Sequence, residues 1–220
     1  MNSRARVVVL LSGSGSNLQA LIDATANRTF PAQIVGVISD QPDAYGLKRA
    51  ANADIATRCC DRADFNNRAE FEEAIGEAIA SFAPDFVLLA GFMRILRGSL
   101  PDRYSGRMLN IHPSLLPRHK GLDTHQRAID AGDIEHGCTV HFVTRELDAG
   151  PGLIQAKLDV GATADAAHLA ARVLELEHQI YPLALRWLAE GRVSHSAEGV
   201  LLDGLALPDP VVMDVDALRC

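Results

Sequence analysis

The stretch "MLNIHPSLLP", residues 108–117, sets an amide, Asn110, and an imidazole, His112, two positions apart in an apolar run that stops at Pro113. Period two in a strand puts both side chains on one face. Proline cannot continue a central strand, so the pair is expected at the strand's carboxyl end. An imidazolium and an amide N–H aimed at one point make an oxyanion hole for acyl transfer. A packed histidine beside a turn-forming asparagine would fit the same residues.

Two more stretches carry chemistry-bearing residues. In "VVVLLSGSGSNLQALI" (7–22) an apolar run enters a Ser/Gly loop that opens a helix. Such a loop turns backbone N–H groups and the positive end of the helix dipole towards an anion. After Gly13 and Gly15, position 18 is Leu and no Gly-Lys-Ser/Thr follows, so this is neither a dinucleotide fingerprint nor a P-loop. Its length suits one phosphate; a tight turn with Ser16 or Asn17 capping the helix is the plainer reading. In "ELDAGP" (146–151), Asp148 is either a turn residue or the carboxylate that orients His112 and favours its cationic form. Spacing alone does not decide. Arg68 and Arg94 are surface charges by default, though either would hold a ligand carboxylate if it bordered a cleft. Five of the eight histidines (His112, His119, His125, His136, His141) crowd together, but without H-E-x-x-H or a helical i, i+4 pair, so no metal is expected.

The elements that must position these residues alternate through the first half. Strands are expected at 6–11, 33–39, 55–58, 85–90 and 107–113, with helices at 16–27, 45–53 and 65–82. Continuous β-branched runs between helices indicate a parallel sheet covered on both faces, the doubly wound α/β class, whose ligands sit beyond the carboxyl ends of the strands. After residue 117 the pattern changes. A short helix at 122–131 precedes "GCTVHFVTREL" and "GLIQAKLDV", an expected antiparallel pair around "DAGP". A long helix is expected over 164–190, then a small hairpin and a Pro/Asp-rich end. No repeat or linker divides the chain.

With 220 residues and 48% hydrophobic content, the chain can bury a full core, and it has no run of 18 apolar residues to span a membrane. The "MNSRARVVVLL" start is too short in its apolar part for a signal peptide and is expected to be a first strand. A net charge of −7 argues against a nucleic-acid surface. Cys59, Cys60, Cys138 and Cys220 make no disulfide framework, so a reducing cytoplasm is expected.

Taken together, "SGSGSNLQALIDA", "DFVLLAGFMRIL", "MLNIHPSLLP", "EHGCTVHFVTRELDAGP" and "EHQIYPL", in this order, resemble the folate-dependent phosphoribosylglycinamide formyltransferase family over about residues 5–195. The resemblance implies a Rossmann-like half joined to a smaller C-terminal part within one domain: about 1–105 phosphate-binding, about 106–200 catalytic and folate-binding, 201–220 a tail. It implies a catalytic trio, Asn110, His112 and Asp148. The first two would stabilise the oxyanion, while Asp148 holds His112 protonated and assists proton transfer. It places the ribose phosphate on Gly15, Ser16 and Asn17, and Glu177 on the glycinamide ribonucleotide. It places 10-formyltetrahydrofolate, the co-substrate, against Met93, Arg94, Ile95, Leu96 and Asn110. The loop of Thr144, Arg145, Glu146, Leu147 and Asp148 completes the pterin site, and Arg68 faces the glutamate tail. The resemblance implies two small-molecule substrates, no metal, no nucleic acid, no membrane, and a monomer or homodimer in the cytoplasm. Lys120, Asp123 and Arg145 depart from the usual pattern, outside the trio.

Two relatives share part of the motif. Methionyl-tRNA formyltransferase adds a basic tRNA-binding domain and formyltetrahydrofolate deformylase a regulatory one, and this acidic chain is expected to carry neither. A nicotinamide dehydrogenase is disfavoured by the missing third glycine, with Asp40 as its lone candidate for a ribose-binding acid.

Overall fold

The computed structural model describes residues 3–161, 165–196 and 199–214. The first half alternates β1 (Ala5–Leu11), α1 (Ser16–Ala26), β2 (Ala32–Ser39), α2 (Tyr45–Asn52), β3 (Thr57–Cys59), α3 (Arg68–Ser81) and β4 (Phe86–Leu89). Then come α4 (Leu100–Arg103), β5 (Met108–His112), α5 (Thr124–Asp130), β6 (Glu135–Phe142), β7 (Gly152–Asp159) and α6 (Ala166–Ala189). The end is β8 (Val193–Ser196), β9 (Gly199–Leu202), β10 (Leu205–Ala206) and β11 (Val211–Asp214).

Eight strands form one sheet in the order β11-β7-β6-β5-β4-β1-β2-β3, and β10-β9-β8 make a small antiparallel sheet. From β3 to β5 all pairings are parallel, whereas β6 runs antiparallel to both β5 and β7. This is the expected Rossmann-like, mostly parallel sheet continued by antiparallel strands and a long helix. The apolar run of β1 explains its central place. Val7, Val9 and Leu11 enter one buried cluster with residues of α1 and α6, while Val8 and Leu10 enter another with Phe71, Ile75 and Ile79 of α3. Both faces of the strand are thereby covered, as a parallel strand requires.

Helix α6 buries Leu169, Val173, Leu176, Ile180, Ala184 and Leu188, one stripe at three- and four-residue spacing. Asp165 caps it by accepting from the Ala167 N–H. The helix expected from residue 164 begins at Ala166, and residue 164 itself lies outside the described residues. Helix α3 starts at Arg68 rather than at 65 because Asn67 accepts the Glu70 N–H and ends the preceding extended chain. Beyond the expected elements lie the short helix α4, the third strand β10 of the small sheet, and β11, whose Val211–Asp214 pairs in parallel with β7 at the sheet edge.

Candidate active site

Strand β5 delivers Asn110 and His112 to one face at its carboxyl end, and Pro113 follows at once. His112 is buried, with 5% exposure. The loop between β6 and β7 folds back so that Asp148, itself in a left-handed turn at φ 47°, brings Oδ2 to 3.5 Å from His112 Nδ1. The other ring nitrogen, Nε2, donates to the His119 carbonyl at 3.0 Å. Both nitrogens therefore face oxygen, Nε2 at hydrogen-bond distance and Nδ1 at a longer separation.

Asn110 pairs in register with His141 of β6. The His141 Nδ1–H donates to the Phe142 carbonyl at 3.0 Å, which leaves Nε2 to accept from Asn110 Nδ2 at 3.1 Å. Burial pushes the His141 ring pKa well down, against opposing pulls from the Phe142 carbonyl and Asp148, so the ring stays neutral. A neutral acceptor fixes which side of the Asn110 amide carries nitrogen. The second amide N–H remains for a ligand. The sequence names His141 only as one of the clustered histidines; its role beside Asn110 follows from the antiparallel register, which only the fold reveals.

A cleft of about 430 Å³ opens in front of these groups, lined by Met93, Arg94 and Ile95 on one side and by Gly121–His125, Leu147 and Asp148 on the other. A side pocket of about 70 Å³ adds Leu96, His141, Thr144 and Glu146. Of the residues expected around a folate, Arg68 and Arg145 line neither space. Arg68 pairs with Glu72 at 2.5 Å and donates to the Ile95 carbonyl, which makes it a strut behind the 93–96 loop. Arg145 turns to Asp102 of α4, with its Nε 3.1 Å from Oδ1. The 93–96 loop is held further by Met93 N–H donating to Ser12 Oγ at 2.8 Å and by Arg94 Nε donating to the fully buried Asp40 at 2.6 Å.

The Ser/Gly loop adjoins the cleft. A hollow of about 580 Å³ is lined by Ser12, Gly13 and Ser14, and it shares Met93 and Arg94 with the cleft. Gly15 caps α1 at φ 69°, and a Cβ there would sit 2.6 Å from Gly46 Cα, so only glycine fits. No side chain caps α1, and its first turn holds no acidic residue. Behind the loop, Asn17 Nδ2 donates to Glu177 Oε2 of α6 at 2.6 Å. Burial pushes the Glu177 carboxyl up to about 7, with the Asn17 hydrogen bond pulling the other way. Asn17 Oδ1 is buried without a partner.

The remaining clustered histidines serve each other. His125 Nδ1 and His136 Nε2 are 3.1 Å apart, and His119 Nε2 is 2.7 Å from Asp133. Among the described residues no group of three His, Cys, Asp or Glu side chains is arranged to hold a metal ion. No described helix is long and apolar enough to cross a membrane.

Residues 5–185 match the formyl transferase family. The phosphoribosylglycinamide formyltransferase of Escherichia coli is 48% identical over 92% of this chain and 95% of its own length. That of Haemophilus influenzae is 47% identical over 92% and 96%. Among solved structures, the phosphoribosylglycinamide formyltransferase from Coxiella burnetii superposes with a TM-score of 0.90 at 45% identity, covering 95% of this chain and 100% of that one.

Proposed function

The chain belongs to the formyl transferase family, and from that footing we propose that Asn110, His112 and Asp148 are the groups with which it moves a formyl group. It transfers the formyl group of 10-formyltetrahydrofolate to the amine of phosphoribosylglycinamide in purine biosynthesis, giving the N-formyl product and tetrahydrofolate. The observation that carries the trio is its convergence on the floor of one cleft from β5 and the β6–β7 loop, with Asp148 Oδ2 3.5 Å from His112 Nδ1.

In this reading the amine attacks the formyl carbon, and the carbonyl oxygen gains negative charge. The free amide N–H of Asn110 and the Nδ1–H of His112 donate to that oxygen. The 3.5 Å separation from Asp148 is long for a hydrogen bond, which leaves the Nδ1–H available to the substrate. The attacking amine loses a proton to Asp148, directly or through water, as the tetrahedral intermediate forms. Collapse breaks the bond to N10 of the folate, which takes up a proton as it leaves.

The phosphate is assigned to the α1 N-terminus at Gly15, Ser16 and Asn17, and Glu177 to the rest of the glycinamide ribonucleotide. The folate is assigned to Met93, Arg94, Ile95, Leu96, Asn110 and the loop Thr144–Asp148, including Arg145, with Arg68 nearest its glutamate tail. We assign these roles to one formyltransferase domain, acting in the cytoplasm as a monomer or homodimer. The test is turnover of 10-formyltetrahydrofolate by the purified chain. Turnover that needs phosphoribosylglycinamide supports the assignment; equal turnover without any amine would make it a deformylase.

A further inference from the structure

Residues 118–123 hydrogen-bond to the catalytic pair through two backbone groups. The His119 carbonyl accepts the His112 Nε2–H at 3.0 Å. Two residues on, the Gly121 N–H donates to Asp148 Oδ2 at 2.9 Å, the oxygen that faces His112 Nδ1. Backbone groups aim a side chain only as well as the segment itself is held. This segment is bent sharply, with φ of 53° at His119, 83° at Gly121 and 57° at Asp123. A left-handed histidine is uncommon and persists where its surroundings hold it.

His119 is held by its own ring, and Arg118 before it pairs with the same carboxylate, Nη1 to Asp133 Oδ2 at 3.5 Å. Nε2 lies 2.7 Å from Asp133 Oδ2, and the ring meets His136 edge-on at 6.2 Å between centroids. Asp133 sits between α5 and β6, its N–H bonded to the Ala128 carbonyl, so it is anchored in the frame and not in the loop. Arg127 fastens the next residue by donating to the Lys120 carbonyl at 2.6 Å.

We infer that the contact between His119 and Asp133 positions the catalytic histidine for formyl transfer. By pinning the His119 carbonyl it commits the Nε2–H of His112 to the protein, and so selects Nδ1 as the nitrogen that serves the substrate and Asp148. His119 and Asp133 touch no reacting atom in this account; they are positioning residues. The inference rests on the catalytic assignment of His112.

Three variants test it in the full chain. His119→Gly accepts φ 53° without strain and removes only the ring. Asp133→Ala removes the anchor, and Asp133→Asn keeps an oxygen that the His119 ring can bond. His119→Gly and Asp133→Ala should each lower kcat by about tenfold or more, because small misplacements of a reacting group are costly. The KM of both substrates should stay within about twofold. The 15N signals of the His112 ring should shift in both variants, and Asp133→Asn should recover most of kcat. A normal kcat in His119→Gly, an unshifted His112 ring, or a loss confined to KM would overturn the inference. If Asp133→Ala does not fold, His119→Gly decides alone. Full activity in a parallel His112→Ala variant would instead remove the catalytic reading itself.

Discussion

Glu177 and Asn17, 160 positions apart in sequence, share a buried hydrogen bond of 2.6 Å that joins the long helix α6 to the first turn of α1. The bond places a carboxyl with its pKa raised to about 7 directly behind the uncapped N-terminus of α1. The fold thereby keeps an acid that burial disfavours as an anion.

That acid makes stability fall with pH. Between about 4.5 and about 7 the folded state keeps the Glu177 proton while the unfolded chain has lost it. The folded state therefore binds more protons in that window, and stability decreases as pH rises through it. The full effect is about 3 kcal/mol at most. Glu177→Gln keeps the partner for Asn17 and removes the charge. Its melting temperature should exceed that of the parent at pH 8 and converge with it near pH 4. A gap that does not change with pH would mean that the carboxyl is not buried as a proton carrier.

The anion assignment at α1 is tested best at Ser16, because Gly15 is required by the fold itself. A carboxylate in the first turn favours the helix dipole by about 0.3–1 kcal/mol. The same carboxylate repels a bound phosphate. Ser16→Asp should hold or raise thermal stability while increasing the KM for phosphoribosylglycinamide at least about tenfold and leaving the KM for the folate alone. Unchanged KM values would mark the loop as a structural turn.

His141 should matter through Asn110. Replacing it by Phe removes the acceptor that sets the amide's orientation. The lost donor geometry should cost kcat on the order of tenfold to a hundredfold, somewhat less than deleting an oxyanion donor outright. His141→Gln, which offers a carbonyl oxygen to the same amide, should recover part of the loss. Equal activity in both variants would show that the amide is oriented by something else.

How far the sequence spoke can be traced residue by residue. Strand β1 and helices α1 and α6 were legible because their apolar spacing matches the structure that buries it. Strand β11 was not, since Val211–Asp214 follows Pro208 and Pro210 and is held by pairing with β7 and by the packing of Val211 and Met213 on the core, neither of which leaves a periodic signal in so short a run. Asn110 and His112 could be placed on one face by period two. Asp148 could be read from "ELDAGP" as a turn residue or as the carboxylate facing His112, but spacing could not bring it there, because a folded-back loop closes that gap; the resemblance chose between the two readings. The contacts of His119 and His141 depend on a strained backbone and on strand register, neither of which leaves a motif.

The central claim, that His112 and Asp148 work as one unit in formyl transfer, is tested most directly by a double-mutant cycle in kcat/KM. His112→Ala and Asp148→Asn should each lose about 10²–10³, the cost of removing one oxyanion donor, while both variants stay folded and bind phosphoribosylglycinamide. Because the 3.5 Å contact couples them, the double variant should be only slightly worse than either single one. Losses that multiply would contradict the account, for they would mean that the two side chains act independently.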